Sequence, residues 1–467
     1  MSYSGSAAHS VSYIYDADGN RTQMVDGSGT STSTYDAFDE LATVESGAGT
    51  TTQYGYDSFA DVDSVQWPLQ SGDFWSAARF TREFDNAGQL VEVGGPTVAI
   101  DYFTNTADGL PATVVLGGSG DTLDTTYDAT DSPSSITLTD GTSTLQEFAY
   151  SDTPSGAIAS ETDTPTSSLS PADYTYDAQS RVTAMTPGTS GTLSYGYDAS
   201  ANPTTLPSGA TGTYDDASEL TSSVLSGTTS TYGYDADGER TSVSGGATVT
   251  ATYNGAEEVT SYDNSAADTS SATYDGDGLR TSVTTTPSGG DSSTNAMSWD
   301  TSGSVPVVLT DSTYLYTYGD GNTPIVETNR TTGVSRFLIS DALGSVRGIL
   351  TTSGSLTATT SYDAYGNPET TGGLTGYTPF GFAGGYTDST GLVYLVNRYY
   401  DPGTAQFITV DPTINRTDQA YEYTGDDPVN SIDPLGLIVT GPPGSCGRYD
   451  LKLWIAHSFG DATYLPR

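Results

Sequence analysis

The chain has 467 residues, with 14 basic against 58 acidic side chains and a formal net charge of −44. A surface this negative argues against nucleic acid and anionic membranes as partners. Its self-repulsion is screened only at high ionic strength, where the Debye length falls to about 3 Å at 1 M salt. We therefore expect a folded protein from a salt-adapted organism, since 33 tyrosines are too many for an acidic disordered segment.

Cysteine and histidine are too rare to supply common kinds of functional site. Cys446 stands alone, so an internal disulfide is excluded, and the only histidines are His9 and His457. We expect no cofactor, no metal site and no turnover enzyme. Loops of the form Asp-x-Asp-Gly begin at Asp16, Asp235 and Asp275 and resemble the start of calcium loops. They lack the closing Glu in register, so they are predicted to be hairpin turns.

No stretch of the sequence approaches the roughly 20 apolar residues of a membrane-spanning helix. Residues 1–8 also lack the charged lead and the apolar run of a secretory signal. The repeat pattern begins almost at once, which favours a chain whose upstream repeats are missing.

One short sequence motif, Tyr-x-Tyr-Asp or a variant of it, recurs through the first part of the chain. The tyrosine that precedes the aspartate is found at Tyr15, Tyr35, Tyr56, Tyr127, Tyr176, Tyr197, Tyr214, Tyr234, Tyr262 and Tyr274. Alternate residues of a strand share a face, and Asp followed by Gly or Asn favours a turn. Each copy is therefore predicted to be one β-hairpin, and many copies follow at about twenty-residue spacing.

The repeats predict an all-β fold, because no window has a convincing helical period. A lone hairpin is unstable in water, so each copy must pair with its neighbours. A sheet of so many hairpins must also curl, because strand twist accumulates.

The segment from Asp341 to Leu437 contains a second set of sequence motifs: DALGSVRGIL, YDAYGNP, GLVYLVNRYYDPGTAQFITVDP and YEYTGDDPVNSIDPLGL. In this order they resemble the core segment of RHS-repeat (YD-repeat) proteins, a family that includes polymorphic toxins, Tc-toxin C components and teneurin-like shells. The resemblance implies a hollow shell of YD hairpins with the core segment plugging one end. It predicts a repeat shell at 1–330, an RHS core at 331–437 and a short variable tail or cargo stub at 438–467.

The same resemblance implies a self-cleavage site. The family has a pair of DPxG motifs, and this chain matches them with Asp411-Pro412 and with Asp433-Pro434-Leu435-Gly436. Eighteen residues separate the two four-residue motifs, 411–414 and 433–436. Asp411 and Asp433 would then be catalytic carboxylates of an aspartyl-protease type, Arg398 an assisting cation, and Leu437–Ile438 the cleaved bond. Two close carboxylates can divide the roles of acid and base between them.

A structural alternative exists for both motifs, in which each aspartate serves only to start a turn, as Asp before Pro commonly does. The first motif also departs from the family pattern, since Ile414 stands where the fourth-position Gly is expected.

Two functions follow from these expectations. In the first, the shell encapsulates its own C-terminal tail or toxin and releases it by autoproteolysis after Leu437. Its partners would be that cargo, a secretion or delivery machinery and an immunity protein. In the second, the chain is a non-enzymatic structural or adhesion module of a surface protein or filament. Either function predicts a secreted or cell-surface location.

Overall fold

The computed structural model describes residues 10–246, 248–265, 268–370, 373–437 and 439–441, with the backbone alone at 102–104. These residues form four antiparallel sheets, and within each sheet every strand pairs with the next strand along the chain. The prediction of an all-β chain is confirmed. Helical structure in the described ranges amounts to one short α-helix, α1 at Ile414–Thr417, and 3₁₀ turns at Phe382–Gly384 and Thr424–Asp426.

The first sheet is a meander of 17 strands. Its strands are β1 Ser12–Tyr15, β2 Arg21–Asp26, β3 Gly29–Tyr35, β4 Leu41–Glu45, β5 Thr51–Tyr56, β6 Val62–Gln66, β7 Arg79–Phe84, β8 Leu90–Gly94, β9 Ala99–Asn105, β10 Pro111–Leu116, β11 Asp121–Tyr127, β12 Pro133–Thr139, β13 Thr144–Asp152, β14 Ile158–Thr164, β15 Ala172–Tyr176, β16 Val182–Pro187 and β17 Leu193–Ser194.

The second sheet has 11 strands. They are β18 Gly196–Tyr197, β19 Pro203–Thr205, β20 Thr211–Tyr214, β21 Leu220–Leu225, β22 Thr228–Tyr234, β23 Arg240–Ser244, β24 Val249–Tyr253, β25 Val259–Asn264, β26 Asp268–Tyr274, β27 Arg280–Pro287 and β28 Ser293–Ala296.

The third sheet has seven strands and the fourth has four. The seven are β29 Ser298–Asp300, β30 Val307–Thr310, β31 Tyr314–Thr317, β32 Val326–Asn329, β33 Ser335–Ser340, β34 Val346–Thr351 and β35 Leu356–Thr359. The four are β36 Tyr386–Thr387, β37 Val393–Leu395, β38 Arg398–Asp401 and β39 Gln406–Phe407.

The hairpin formed by β5 and β6 shows how the repeated Tyr-x-Tyr-Asp motif folds. The carboxylate of Asp57 accepts the backbone N–H groups of Phe59 at 2.7 Å and of Asp61 at 3.1 Å. The residue between them, Ala60, takes a positive φ of 68°. The strand register shifts at Tyr56, just before the aspartate. The aspartate thus closes a bulged hairpin whose tip needs a left-handed residue.

In many hairpins the tyrosine before the turn Asp or Asn ties its hairpin to the preceding one. The hydroxyl of Tyr56 donates to the carbonyl of Leu41 at 2.9 Å, and that of Tyr35 donates to Arg21 at 3.0 Å. The same bond to a backbone carbonyl 11 to 18 residues upstream recurs at Tyr127, Tyr176, Tyr197, Tyr214, Tyr253 and Tyr274. One side chain therefore supplies both an apolar ring for the sheet and a polar contact between consecutive hairpins.

The chain winds back past its own first sheet. Trp67 donates its indole N–H to the carbonyl of Tyr316 at 2.8 Å, although 249 positions separate them. Arg21 in the first hairpin forms an ion pair of 2.6 Å with Asp277. Such contacts explain why large apolar clusters contain residues from several sheets.

Buried arginines of the repeat region hold the C-terminal segment in place. Arg280 is fully buried and pairs with Asp388 at 2.6 Å, and Arg240 pairs with Asp401 at the same distance. From the other direction, Arg347 contacts Asp163 at 2.5 Å. Because removing one partner leaves a buried charge, each pair couples the repeats to the segment after residue 340.

The Asp-x-Asp-Gly loops are hairpin turns in the structure. Asp16 Oδ1 accepts the N–H groups of Asp18 and Asn20, and Gly19 has a φ of 93°. Across the described ranges, no group of three or more His, Cys, Asp or Glu side chains is placed to hold a metal ion. Those ranges also contain no helix long and apolar enough to cross a membrane.

Candidate functional site

Arg398 is the first residue of β38 and is buried, with 4 % of its surface exposed. Its guanidinium carbon lies 3.6 Å from the centre of the Phe407 ring, and its Nε donates to the carbonyl of Gly436. Its Nη2 lies 3.5 Å from Oδ2 of Asp433. Burial lowers the pKa of Arg398, while the negative charges of Asp433 and Asp411 oppose that effect. The cation thus lies within the electrostatic reach of both predicted carboxylates.

Asp433 lies against the backbone of Leu437. Its Oδ1 accepts the Leu437 N–H at 2.9 Å, and its side chain is almost completely buried. Ile432 and Thr440 exchange two backbone hydrogen bonds, of 2.9 and 2.8 Å, which close a loop around this bond. Asn397 also donates its side-chain N–H to the Leu435 carbonyl at 2.9 Å. The chain near Leu437 is therefore held close to the Asp433 carboxylate.

Asp411 reaches the same backbone through a threonine. Its Oδ1 accepts the Thr413 N–H at 2.7 Å and lies 2.8 Å from the Thr413 hydroxyl. The Thr413 hydroxyl also lies 3.4 Å from the carbonyl oxygen of Leu437. On its other side, Asp411 Oδ2 lies 2.7 Å from the hydroxyl of Thr417. Asp433 thus lies at the N–H of Leu437, and Asp411 is linked to the carbonyl of Leu437 through Thr413.

The two fourth-position residues differ in backbone conformation. Gly436 has a φ of 65°, and an added Cβ would lie 2.8 Å from the Leu395 carbonyl oxygen. Ile414 instead begins α1, and its N–H donates to the Asp411 carbonyl at 2.9 Å. The first motif, residues 411–414, therefore forms its turn with a right-handed helical residue at Ile414 and does not need a glycine at that position.

The sequence-predicted residues Arg398, Asp411, Asp433 and Leu437 come together in one place, whereas Ile438 lies outside the described residues. Each aspartate also accepts a backbone N–H from a residue two to four positions later in the chain. The alternative interpretation, in which both aspartates only start turns, therefore describes the same geometry. The two interpretations are compatible, because a carboxylate that fixes a turn keeps lone pairs for proton transfer. Their catalytic role stays a prediction.

A cavity of about 80 Å³ adjoins Arg398. Asn397, Arg398 and Pro412 line one side of it, and the β24–β25 hairpin tip lines the other through Glu257 and Glu258. Burial raises the pKa of Glu258 to about 7. The lining is mixed polar and apolar, and the space is larger than a water molecule requires, so water has room next to Arg398.

Sequence reasoning missed three side chains of this site. They are Thr413 and Thr417, which contact Asp411, and Phe407, which stacks on Arg398. Thr413 lies inside the first Asp-Pro motif, so its position two residues after Asp411 could be read from the sequence. The position of Phe407 depends on the pairing of β38 with β39, which the sequence does not encode locally.

Comparison with known proteins agrees with the architecture. Residues 308–429 match the family model of the teneurin YD-shell. The crystal structure of TcdB2-TccC3 superposes with a TM-score of 0.58 at 15% identity, covering 92% of this chain and 28% of the other. A Photorhabdus luminescens Tc holotoxin pore superposes with a TM-score of 0.53 at 16% identity, covering 93% of this chain and 23% of that one. At these identities the likeness concerns the fold.

Two bacterial proteins share sequence with part of the chain. The tRNA3(Ser)-specific nuclease WapA of Bacillus spizizenii is 36% identical over 132 residues, which is 27% of this chain and 6% of that protein. The double-stranded DNA deaminase toxin A of Burkholderia cenocepacia is 37% identical over 103 residues, or 21% and 7% respectively. The chain thus spans only a small part of the length of these relatives. The predicted resemblance to RHS/YD-repeat proteins, with an all-β YD shell, is confirmed.

Proposed function

We propose that this RHS/YD-repeat chain is an encapsulating shell that holds the segment after Leu437 and releases it by cutting itself at Leu437–Ile438. The observation that carries the proposal is the placement of Asp433 on the Leu437 N–H, with Arg398 beside Asp433 and with Asp411 linked to the Leu437 carbonyl through Thr413. Similarity to a nuclease and to a deaminase toxin supports a toxin-type cargo. The delivery machinery and the immunity protein belong to the same proposal, as does a secreted location.

The geometry suggests how the roles divide. Asp433 lies beside Arg398, whose charge favours the ionised carboxylate, so Asp433 is the base that takes a proton from the attacking water. Asp411 lies on the carbonyl side of Leu437 and is the acid. The cavity beside Arg398 has room for water close to the site. Each carboxylate has a separate task, as acid–base hydrolysis of a peptide requires.

The intact mass of the purified chain under denaturing conditions tests the proposal. We expect two fragments, one ending at Leu437 and one beginning at Ile438, which co-purify under native conditions in molar salt. A single full-length species after long incubation in molar salt would contradict self-cleavage and favour the non-enzymatic surface module.

Limited proteolysis of the native protein tests encapsulation separately. If the shell encloses its cargo, residues after Leu437 resist added protease as long as the repeats stay folded. A denatured sample serves as the control, because there the same protease must remove the segment. Rapid loss of the segment from an intact shell would contradict encapsulation even if the chain cleaves itself.

A further inference from the structure

We propose that the hydroxyl of Thr413 is a catalytic group that relays the proton of Asp411 to the carbonyl oxygen of Leu437. This inference rests on the proposed self-cleavage. The hydroxyl lies between the two oxygens that must exchange a proton, 2.8 Å from Asp411 Oδ1 and 3.4 Å from the Leu437 oxygen.

A hydroxyl carries one proton and can accept another, so it can donate to Leu437 while it accepts from Asp411. Thr413 is 7 % exposed and Asp411 is 3 % exposed, which limits competition from bulk water. The Thr413 N–H bond to Asp411 Oδ1, at 2.7 Å, fixes the hydroxyl relative to the acid. Hydrogen bonds between catalytic groups and the reacting atoms commonly shorten when the transition state forms.

The hydrolysis balances with this relay. The oxygen of a water bonds to the Leu437 carbonyl carbon, and the water proton passes to Asp433. Thr413 gives its proton to the carbonyl oxygen and takes the proton of Asp411, which leaves a gem-diol at Leu437. When the carbon–nitrogen bond breaks, a gem-diol hydroxyl returns its proton through Thr413 to Asp411. The leaving nitrogen of Ile438 takes the proton from Asp433, and both aspartates regain their starting states.

Thr417 provides a matched comparison, because its hydroxyl contacts the other oxygen of the same carboxylate at 2.7 Å. Thr413→Val and Thr417→Val each remove one hydroxyl from Asp411 with little change in shape. Thr413 contacts the Leu437 oxygen as well. A role limited to holding Asp411 therefore predicts similar effects of the two substitutions, whereas the relay predicts a much larger effect at Thr413.

The test follows cleavage of the full chain after cell-free synthesis, with samples denatured at intervals and analysed by mass. We expect Thr413→Val to slow cleavage by about 10²–10³-fold, the loss typical when a donor to a developing oxyanion is removed. Thr413→Ser restores the rate to within several-fold of wild type, and Thr417→Val slows it by about tenfold or less. Thermal midpoints of the variants show whether each one folds.

Several results would overturn the relay. They are cleavage of Thr413→Val at the wild-type rate, an equal loss in Thr413→Ser and Thr413→Val, and equal losses in both valine variants. If Thr413→Val does not fold, the wild-type rate in mixtures of H₂O and D₂O decides: a relay predicts a bowed dependence, and a straight line contradicts it. A wild-type chain that never cleaves overturns both proposals, whereas a cleaving wild type with a fast Thr413→Val overturns the relay alone.

Discussion

Oδ1 of Asp433 accepts the backbone N–H of Leu437 at 2.9 Å. One carboxylate thus shapes the loop and lies next to the bond proposed for cleavage. An amide oxygen in the same position would accept the same N–H but could not take a proton from water. Turn formation and catalysis can therefore be separated by a single isosteric substitution.

Asp433→Asn and Asp411→Asn should each give an intact chain with an unchanged fold. Each amide oxygen keeps the backbone hydrogen bond, and the amide N–H₂ introduced by Asp411→Asn can donate to the Thr417 hydroxyl. Loss of the acid or the base slows such reactions by about 10²–10⁴-fold. Denaturing mass spectrometry measures the intact fraction and thermal melting checks the fold. Normal cleavage in one of the variants would show that the aspartate replaced there serves only as a turn residue.

Arg398 should matter through both its charge and its shape. Arg398→Met keeps an apolar stem against Phe407 but removes the cation beside Asp433, so cleavage should slow by about 10²-fold. Arg398→Lys should retain part of the rate, because it keeps a charge but loses the planar stacking. The same cleavage time course measures both variants. Equal rates for methionine and arginine would show that the cation has no part in catalysis.

The local fold could be predicted from the sequence because each hairpin is encoded within one repeat. Tyr56 and Asp57 specify a strand end, a bulge and a turn with contacts only a few residues apart. The closeness of Arg398 to Asp433 and Asp411 could also be predicted, through the resemblance of their sequence motifs to those of a family. What the sequence did not contain was the role of Tyr56 in bonding the preceding hairpin.

Contacts between distant parts of the chain could not be predicted. The bond from Trp67 to Tyr316 depends on how far each hairpin rotates relative to the next, and that rotation accumulates over many strands. The Thr413 hydroxyl belongs to the same class, because its contact with Leu437 depends on how the loop closed by Ile432 and Thr440 folds back. Residue type and spacing do not contain that information.

Stability should depend strongly on salt. With a net charge of −44 on a thin layer of strands, repulsion loosens the fold in dilute buffer, and molar salt reduces the Debye length to about 3 Å. We expect the thermal midpoint to rise steeply between dilute buffer and molar NaCl. KCl should have the same effect, which separates screening from binding of one particular cation. Equal midpoints in dilute and molar salt would contradict salt adaptation.

Stability should also rise as the pH falls from about 8.5 to 5.5. Burial raises the pKa of Glu422 to about 8 and that of Asp163 to about 7, against opposing contributions from Arg181 and Arg347 respectively. It also raises the pKa of Asp426 well above its ordinary value, and neighbouring Glu422 adds to the shift. Between the ordinary and the raised pKa values the folded chain binds more protons than the unfolded chain, so folding weakens as the pH rises.

Asp426→Asn tests the pH effect at a single group. Asp426 is fully buried, and burial raises its pKa despite a side-chain hydrogen bond with Tyr365. The neutral amide removes the cost of burying a charge, so the variant should be more stable than wild type at pH 8.5 and closer to it at pH 5.5. Melts in molar salt suppress the general surface repulsion. A variant that is less stable at pH 8.5 would show that the ionised carboxylate has a favourable partner.

Arg280 should be the most sensitive ion pair between the repeats and the C-terminal segment. It is fully buried, its Nη1 lies 2.6 Å from Asp388 and 2.8 Å from the Tyr399 hydroxyl, and its guanidinium lies 4.2 Å from the centre of the Tyr394 ring. Arg280→Met leaves Asp388 buried without its cation, which typically costs about 3–5 kcal/mol. Arg21→Met is the matched control. It breaks an ion pair of the same 2.6 Å length with Asp277, but that pair is partly exposed and should cost about 1 kcal/mol or less.

The double variant Arg280→Met with Asp388→Leu separates the buried charge from the packing. Replacing both partners by apolar side chains removes the stranded carboxylate, so most of the lost stability should return. Chemical denaturation in molar salt measures all four chains under one condition. Similar losses for Arg280→Met and Arg21→Met would show that burial does not set the strength of this contact. A double variant no more stable than Arg280→Met would place the loss in the stacking of Arg280 on Tyr394 instead.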